Sequence, residues 1–311
     1  MKTTPNSASL IKSQSFRLKR SIAKIGKFLP IHWRLAVQRR TYRRRIAKNW
    51  STAYDGFKPL PPAERVGFMV AGSQKAGTSA LIKLLGQHPQ IALPVVKEPH
   101  FFDNDGFFSD KSIPVKEYHA GFPYLGPNRL YGEGTPRTMF STESVERVFE
   151  YNPKMKIICV LRDPVERAYS AWNMNKTAGE TRSFEELTRS EMNQIEKYGP
   201  IRRGFNSYLS RGMYANQIVH LRKYFSPNQL MFIKYSRFKE NNATVLDECI
   251  AFLELDPLSM VLNAKNTNVY RYESTMLPST EKRLRDWYAP EISKVESLLC
   301  WNLSDWKNMK Q

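Results

Sequence analysis

The chain has few cysteines and no long apolar run. Its three cysteines, Cys159, Cys249 and Cys300, each lie in a short apolar segment, and none belongs to a CxxC pair or to a Cys/His metal spacing. This excludes a disulfide-dense framework and a Cys/His metal motif, and favours buried free thiols in a reducing compartment. No stretch approaches the ~20 apolar residues that a membrane helix needs. Lys and Arg interrupt the short apolar runs near the N-terminus, so we expect a cytoplasmic protein without a signal peptide or a transmembrane helix.

Acidic residues are missing from the first 54 positions, so the positive charge is concentrated there. The 311 residues hold 48 Lys and Arg against 29 Asp and Glu, a formal charge of +19. Residues 1–54 contain 14 of the basic residues, which leaves 34 basic against 29 acidic residues, or +5, for the remainder. This mildly basic body argues against a nucleic-acid partner and is compatible with one positive pocket.

We predict a basic N-terminal arm over residues 1–50 and a Pro-rich linker over residues 51–65. In the arm, apolar side chains are interleaved with Lys and Arg, which suits an amphipathic helix in peripheral contact with an anionic membrane. A flexible solvated tail and an organelle transit peptide fit the same composition. In the linker, Pro59, Pro61 and Pro62 disfavour regular structure.

Between residues 66 and 306, apolar segments of strand length alternate with helical patterns. The patterns predict strands over residues 66–71, 156–163 and 229–238, and helices over residues 78–89, 164–175, 244–255 and 280–300. Continuous apolar strands between helices are typical of a parallel sheet that is covered on both faces. We therefore expect a single α/β domain with a central, mainly parallel β-sheet flanked by helices.

The segment GSQKAGTS, residues 72–79, connects the first predicted strand to the first predicted helix of this domain. A strand, a glycine-containing loop and a helix N-terminus together form a P-loop-like phosphate site, because backbone amides approach an anion closely there. Loops that bind nucleoside triphosphates read G-x-x-x-x-G-K-[ST], whereas Lys75 precedes Gly77 here. An ordinary glycine turn before a capped helix is the alternative.

Four segments in order carry a family resemblance: K-A-G-T-S at residues 75–79, KEPHFFD at 97–103, GEGTP at 132–136 and LRDPVERAYSAW at 161–172. Together they resemble the sulfotransferases that use 3′-phosphoadenosine 5′-phosphosulfate (PAPS), in particular the heparan-sulfate-type and bacterial carbohydrate branch. The segments 211–238 and 284–306 agree with that branch, so the resemblance covers roughly residues 66–306.

The resemblance implies a PAPS site without a metal ion. Lys75 would stabilise the leaving 5′-phosphate, and Arg162 and Ser170 would bind the 3′-phosphate. An ion pair of Arg162 with Asp163 or Glu166 is the alternative for that arginine. The backbone amides that would surround the 5′-phosphate belong to Ala76, Gly77, Thr78 and Ser79. The candidates to close over the nucleotide from the stretch 263–276 are Lys265, Arg271 and Tyr272.

On the acceptor side, the resemblance makes Glu98 the general base that takes the proton of the acceptor. His100 and Asp103 would orient the base and the acceptor, although His100 could itself be the base, and Glu98 could merely pair with Lys97. Glu133 and Arg137 are further candidates for binding the acceptor. Glycan-modifying relatives often carry a lysine where this chain has Gly134, so one cationic contact is missing or comes from Arg137.

We therefore expect a sulfotransferase that moves the sulfuryl group of PAPS to a hydroxyl or amine of a carbohydrate or glycolipid acceptor. A nucleotide-dependent phosphotransferase is one alternative, disfavoured by the position of Lys75. A non-catalytic protein that binds a membrane surface or nucleic acid through its basic arm is another.

Overall fold

The computed structural model describes residues 31–53, 58–108, 113–200, 207–257 and 275–309. The predicted nucleotide contacts Lys265, Arg271 and Tyr272 lie outside the described residues, as do residues 1–30 of the basic arm. All other candidate site residues lie within them.

Five strands form one sheet at the centre of the domain: β1 (Val66–Gly72), β2 (Ile91–Ala92), β3 (Leu130–Glu133), β4 (Lys156–Leu161) and β5 (Leu230–Lys234). Their order across the sheet is β2-β3-β1-β4-β5, and every neighbouring pair is parallel. The predicted α/β fold is therefore confirmed. The chain moves to one side of β1 first and to the other side later, and in such sheets ligands bind at the carboxyl ends of the strands beside that switch.

Eleven α-helices lie in the described part of the chain. In chain order they are α1 (Ile31–Ala53), α2 (Thr78–Leu85), α3 (Val115–His119), α4 (Thr142–Tyr151), α5 (Pro164–Thr177), α6 (Phe184–Tyr198), α7 (Tyr214–Tyr224), α8 (Tyr235–Glu240), α9 (Asn242–Phe252), α10 (Pro278–Leu299) and α11 (Ser304–Lys307). The four helices expected from the sequence are all present, as α2, α5, α9 and α10.

Successive side chains of the strands enter two apolar cores, one on each face of the sheet. On β4, Ile157, Cys159 and Leu161 belong to one core, and Ile158 and Val160 belong to the other. The continuous apolar run of this strand follows from that double burial.

Two local expectations were wrong. The strand predicted over residues 229–238 ends at Lys234. Lys234 pairs with Leu161, the last residue of β4, so the neighbouring strand offers no further partner, and the chain continues as α8. Cys300 is exposed, because it follows α10 in a left-handed conformation with φ 54° and caps the helix away from the core. Cys159 and Cys249 are free and buried, as expected.

Helix α1 passes through the predicted boundary between arm and linker at residue 50. Its inner side chains Tyr42 and Ile46 are only 4% and 5% exposed, because they pack on the sheet domain. The Tyr42 ring meets the Phe107 ring edge-on, with 4.9 Å between centroids. Residues 31–50 are thus part of the packed structure and do not form an independent arm. None of the described helices combines the length and the apolar character needed to span a bilayer.

Candidate active site

The phosphate loop lies between the last residue of β1, Gly72, and the first residue of α2, Thr78. Lys75 and Gly77 both adopt left-handed backbone conformations, with φ 73° and 83°. A Cβ atom on Gly77 would lie 2.9 Å from the Tyr235 ring, so the loop requires glycine there for two reasons. The amide of Ala76 closes the turn by donating to the Ser73 carbonyl oxygen at 3.2 Å. Because the Ala76 amide already has this acceptor, only the amides that follow it remain from the predicted phosphate donors.

These remaining amides belong to Gly77, Thr78 and Ser79, at the start of α2. The first N–H groups of a helix have no acceptor within the helix, and they point out of its N-terminus toward an incoming anion. Gly77 occupies the N-cap position, and no side chain caps this helix. The loop therefore combines open backbone donors with the nearby Lys75, as a phosphate site requires.

Arg162 follows the last residue of β4 and lies against the phosphate loop. Its Nη1 donates to the backbone carbonyl oxygen of Lys75 at 3.2 Å. Its Nε and Nη2 contact one carboxylate oxygen of Glu166 at 3.3 and 3.2 Å, so the ion pair considered as an alternative is formed. Burial, followed by the charge of Arg162, lowers the pKa of Lys75. The two cationic residues therefore lie close to each other at the carboxyl ends of β1 and β4.

Asp163, the next residue, does not pair with Arg162. One of its carboxylate oxygens caps α5 by accepting from the amides of Val165 at 2.8 Å and Glu166 at 3.2 Å. The other accepts from Arg285 of α10 at 2.9 Å. Ser170 lies two turns into α5 and is buried. The strand end that carries Arg162 is thus fixed from both α5 and α10.

The segment that carries Glu98 and His100 has an unusual backbone, because both residues have positive φ, 55° and 58°. His100 bridges two carboxylates: its Nδ1 lies 2.9 Å from Asp103 Oδ2, and its Nε2 lies 3.6 Å from Glu98 Oε2. Arg137 Nε lies 3.3 Å from the same Asp103 oxygen. Lys97 Nζ lies 3.3 Å from Glu98 Oε1. Glu98 therefore contacts both Lys97 and His100, each through a different carboxylate oxygen.

The charges of this network fix its protonation. Burial opposes the imidazolium, but hydrogen bonds to Asp103 and Glu98 outweigh burial and raise the pKa of His100 to about 9. Burial also opposes the Glu98 carboxylate, yet His100 and Lys97 outweigh it and lower the pKa of Glu98. At neutral pH, His100 is therefore charged and Glu98 is an ionised acceptor of protons.

Glu133 ends β3 and has no exposed surface. Its carboxylate accepts hydrogen bonds from the Tyr118 hydroxyl at 2.8 Å and from the Thr135 hydroxyl. Burial raises its pKa to about 7. Glu133 is therefore an internal acceptor for Tyr118 and Thr135, and its complete burial argues against the acceptor contact expected from the sequence. At the next position, a Cβ atom on Gly134 would lie 3.2 Å from Ile82, so a side chain there would press on α2.

Comparison with known proteins identifies this arrangement. The sequence model of the sulfotransferase domain family matches residues 67–282, which is more than half of the chain. The chain belongs to the sulfotransferase domain family. The match favours the sulfotransferase hypothesis over the phosphotransferase one and includes the phosphate loop, the Glu98 segment and Arg162.

Individual relatives of this sulfotransferase support the assignment. The bifunctional heparan sulfate N-deacetylase/N-sulfotransferase 4 of Mus musculus is 30% identical over 201 residues, 61% of this chain and 22% of that protein. The heparan sulfate glucosamine 3-O-sulfotransferase 3A1 of Mus musculus is 30% identical over 209 residues, 65% of this chain and 47% of that protein. The chain thus corresponds to less than half of either relative. The crystal structure of a sulfotransferase from Alicyclobacillus acidocaldarius superimposes with a TM-score of 0.67 and 28% identity, covering 79% of this chain and all of that chain.

A cavity of about 220 Å³ opens between α7 and the residues that follow Arg137. Its wall includes Met139, whose amide donates to the carbonyl oxygen of Ala71 in β1 at 2.9 Å. The cavity is lined by Met139, Phe140, Thr142, Pro200, Ser210, Met213, Asn216, Gln217, Val219, His220 and Lys223. It is a small recess with a mixed polar and apolar lining, in which one face of α7 meets the turn that follows Arg137.

Two arginines near the site, Arg211 and Arg45, were not among the residues predicted from the sequence. Arg211 is only 4% exposed and lies over the Phe140 ring, 4.8 Å from its centroid. Burial and the charge of Arg137 lower the pKa of Arg211 to about 9. Arg45 of α1 donates to the carbonyl oxygens of Lys97 and Glu98. The sequence offers no signal for Arg45, because the contact joins residues more than fifty positions apart.

Proposed function

We propose that this sulfotransferase moves the sulfuryl group of PAPS to a hydroxyl or amine of a carbohydrate acceptor. The observation that carries the proposal is the direct contact of Arg162 with the Lys75 backbone, which places one predicted phosphate-binding residue against the loop that carries the other. A nucleotide with separate 5′- and 3′-phosphates requires such a pair of sites.

The donor end fits the residues that are present. The amides of Thr78 and Ser79 and the ammonium of Lys75 would hold the 5′-phosphate, and Arg162 with Ser170 would hold the 3′-phosphate. PAPS supplies an activated sulfuryl group on a phosphate leaving group. Lys75 stabilises the charge that develops on the oxygen between sulfur and phosphorus. Arg162 must exchange part of its contact with Glu166 for the phosphate. Arg271 remains a prediction for the same nucleotide.

Glu98 fits the role of general base. Its carboxylate is ionised at neutral pH and can accept a proton, whereas His100 holds its proton between two carboxylates. As the acceptor oxygen or nitrogen bonds to sulfur and the sulfur–phosphate oxygen bond breaks, its proton passes to Glu98. Asp103 keeps the imidazolium oriented, and Arg137 balances the charge of Asp103. His100 in turn fixes Glu98.

The recess between α7 and the turn after Arg137 is the proposed position of an acceptor sugar. Its volume of about 220 Å³ is below the roughly 300–1,000 Å³ of drug-sized sites, so one sugar ring fits better than an oligosaccharide. Phe140 offers an apolar surface for the ring, and Asn216, His220 and Lys223 offer polar groups. The relatives named for heparan sulfate suggest a polysaccharide; a glycolipid is the other acceptor class.

The outer side of α1 supports a proposed peripheral contact with an anionic membrane, at the cytoplasmic side. Trp33 and Val37 are 60% and 49% exposed, and Arg40 continues the same helical stripe. Aromatic, apolar and cationic side chains on one helix face suit a headgroup region.

The test uses the full chain. We expect calorimetric titration with 3′,5′-ADP to show one site, and incubation with PAPS and unsulfated heparan-type polysaccharide to give sulfated product by mass spectrometry without added Mg²⁺. Failure of 3′,5′-ADP to bind would overturn the proposal. Binding followed by sulfation of a glycolipid alone would overturn only the polysaccharide acceptor.

A further inference from the structure

The middle of helix α1, residues 38–45, lies along residues 97–106, the segment that carries Glu98. Near one end, Gln38 Oε1 accepts from the amide of Gly106 at 3.1 Å, and Arg39 donates to the carbonyl oxygen of the same glycine. In the middle, Tyr42 packs against the Phe101 ring, with centroids 5.8 Å apart. At the other end, Arg45 reaches the residues around Glu98. The helix therefore contacts the segment at three successive points.

Of these contacts, the one made by Arg45 is nearest to Glu98, the proposed general base. Its Nη2 donates to the carbonyl oxygen of Lys97 at 3.3 Å and to that of Glu98 at 3.2 Å. The Lys97 carbonyl belongs to the peptide bond before the Glu98 Cα atom, and the Glu98 carbonyl belongs to the one after it. Fixing both carbonyls therefore fixes the backbone from which the Glu98 side chain projects. Glu98 has φ 55°, a conformation that a non-glycine residue keeps only when its surroundings impose it.

Other contacts around Glu98 do not replace this one. His100 and Lys97 contact the Glu98 carboxylate itself, 3.6 and 3.3 Å away, and both move with the same loop. Thr135 accepts from the amide of His100 only at 3.5 Å. Arg45 is the contact that ties the Glu98 backbone to a separate, packed element.

We propose that Arg45 of helix α1 is a positioning residue that holds Glu98 in its left-handed conformation and so aims the carboxylate at the acceptor. This inference rests on the proposed role of Glu98. It also assigns a catalytic purpose to residues 31–53, which precede the matched family domain. Loss of the contact leaves Glu98 present but misdirected, and a displacement of about 1 Å in a catalytic group costs up to roughly 100-fold in rate.

The experiment compares Arg45→Ala with Arg44→Ala in the full chain. Arg44 is the exposed neighbour on the same helix and has no contact with the loop. We expect Arg45→Ala to lower kcat at least tenfold with unchanged affinity for 3′,5′-ADP, and Arg44→Ala to match the wild type. Arg45→Lys should restore part of kcat, because an ammonium can still donate to one of the carbonyls.

A second readout does not depend on turnover. The imidazole of His100, titrated by NMR, should show a lower pKa in Arg45→Ala than in the wild type, because the shifted Glu98 no longer pairs with it. Wild-type kcat and His100 titration in Arg45→Ala would overturn the inference. If Arg45→Ala does not fold, Arg45→Lys decides: a lowered kcat with unchanged affinity for 3′,5′-ADP supports the inference, whereas wild-type kcat and wild-type His100 titration, or an equal loss in Arg44→Ala, overturn it. A wild-type protein that binds no 3′,5′-ADP would instead overturn the proposed function.

Discussion

Arg162 Nη1 donates a hydrogen bond to the backbone carbonyl oxygen of Lys75 across 3.2 Å. The contact is possible because β1 and β4 are parallel neighbours that end close together: Gly72, the last residue of β1, is paired with Cys159, two residues before the end of β4. Lys75, which follows β1, and Arg162, which follows β4, therefore lie at the same edge of the sheet. Lys75 and Arg162 serve different phosphates in the proposed site, so their contributions can be separated.

Replacing Arg162 by Ala should lower the affinity for 3′,5′-ADP by about 10- to 100-fold, because hydrogen bonds to charged groups contribute roughly 1.5–3 kcal/mol. Calorimetric titration measures this loss. Glu166→Gln is the matched control: it removes the carboxylate partner 3.2 Å from Arg162 but keeps the guanidinium, and it should retain the affinity. Equal losses in both variants would show that the ion pair, and not a phosphate contact, is what matters.

Replacing Lys75 by Ala should lower kcat by roughly 10²–10³, the usual effect of removing one group that stabilises developing charge. The affinity for 3′,5′-ADP should fall as well, whereas that for adenosine 3′-phosphate should not, because this ligand lacks the 5′-phosphate. Lys83→Ala, an exposed lysine of α2, is the control. Equal weakening of both nucleotides would place Lys75 elsewhere on the ligand.

The positions of Lys75 and Arg162 could be predicted because each follows a buried apolar strand, and parallel strands end at one edge of a sheet. The role of α1 could not be predicted. Its apolar residues have the same spacing whether they face a membrane or pack on the domain, and the contact of Arg45 with Glu98 depends on tertiary structure alone. The complete burial of Glu133 could not be predicted either, because a carboxylate in a short loop motif is usually exposed.

Replacing Glu98 by Gln should lower kcat by about 10²–10⁴ at neutral pH, the contribution of a general base, with little change in affinity for 3′,5′-ADP. His100→Gln should cost less, because the wild-type imidazole is already protonated at this pH and accepts no proton from the acceptor. Single-turnover sulfation measures both. A larger loss in His100→Gln than in Glu98→Gln would transfer the role of base to the histidine.

His100 should make stability depend on pH. Its pKa is about 9 in the folded protein and about 6.5 when unfolded, so its stabilising effect is complete below pH 6.5 and is lost as the pH rises toward 9. Urea unfolding should therefore show a larger drop in unfolding free energy from pH 6.5 to 9 for the wild type than for His100→Gln. Parallel pH dependences in the two proteins would contradict the assigned imidazolium.

The ion pair of Asp163 with Arg285 should contribute strongly to stability. Both side chains are almost completely buried, 6% and 3% exposed, and 2.9 Å separates their charged atoms. Arg285→Met leaves Asp163 Oδ2 buried without its cation, so the unfolding free energy should fall by about 3–5 kcal/mol.

Lys282→Met is the matched control on the same helix α10. Lys282 pairs with Asp286 at the surface, where both side chains are more than 60% exposed, and such pairs contribute about 0–1 kcal/mol. Adding Asp163→Asn to Arg285→Met should recover part of the loss, because the double variant has no unpaired buried charge, while Asn still caps α5. Similar losses in Arg285→Met and Lys282→Met, measured by urea unfolding, would show that Arg285 does not anchor the strand end that carries Arg162.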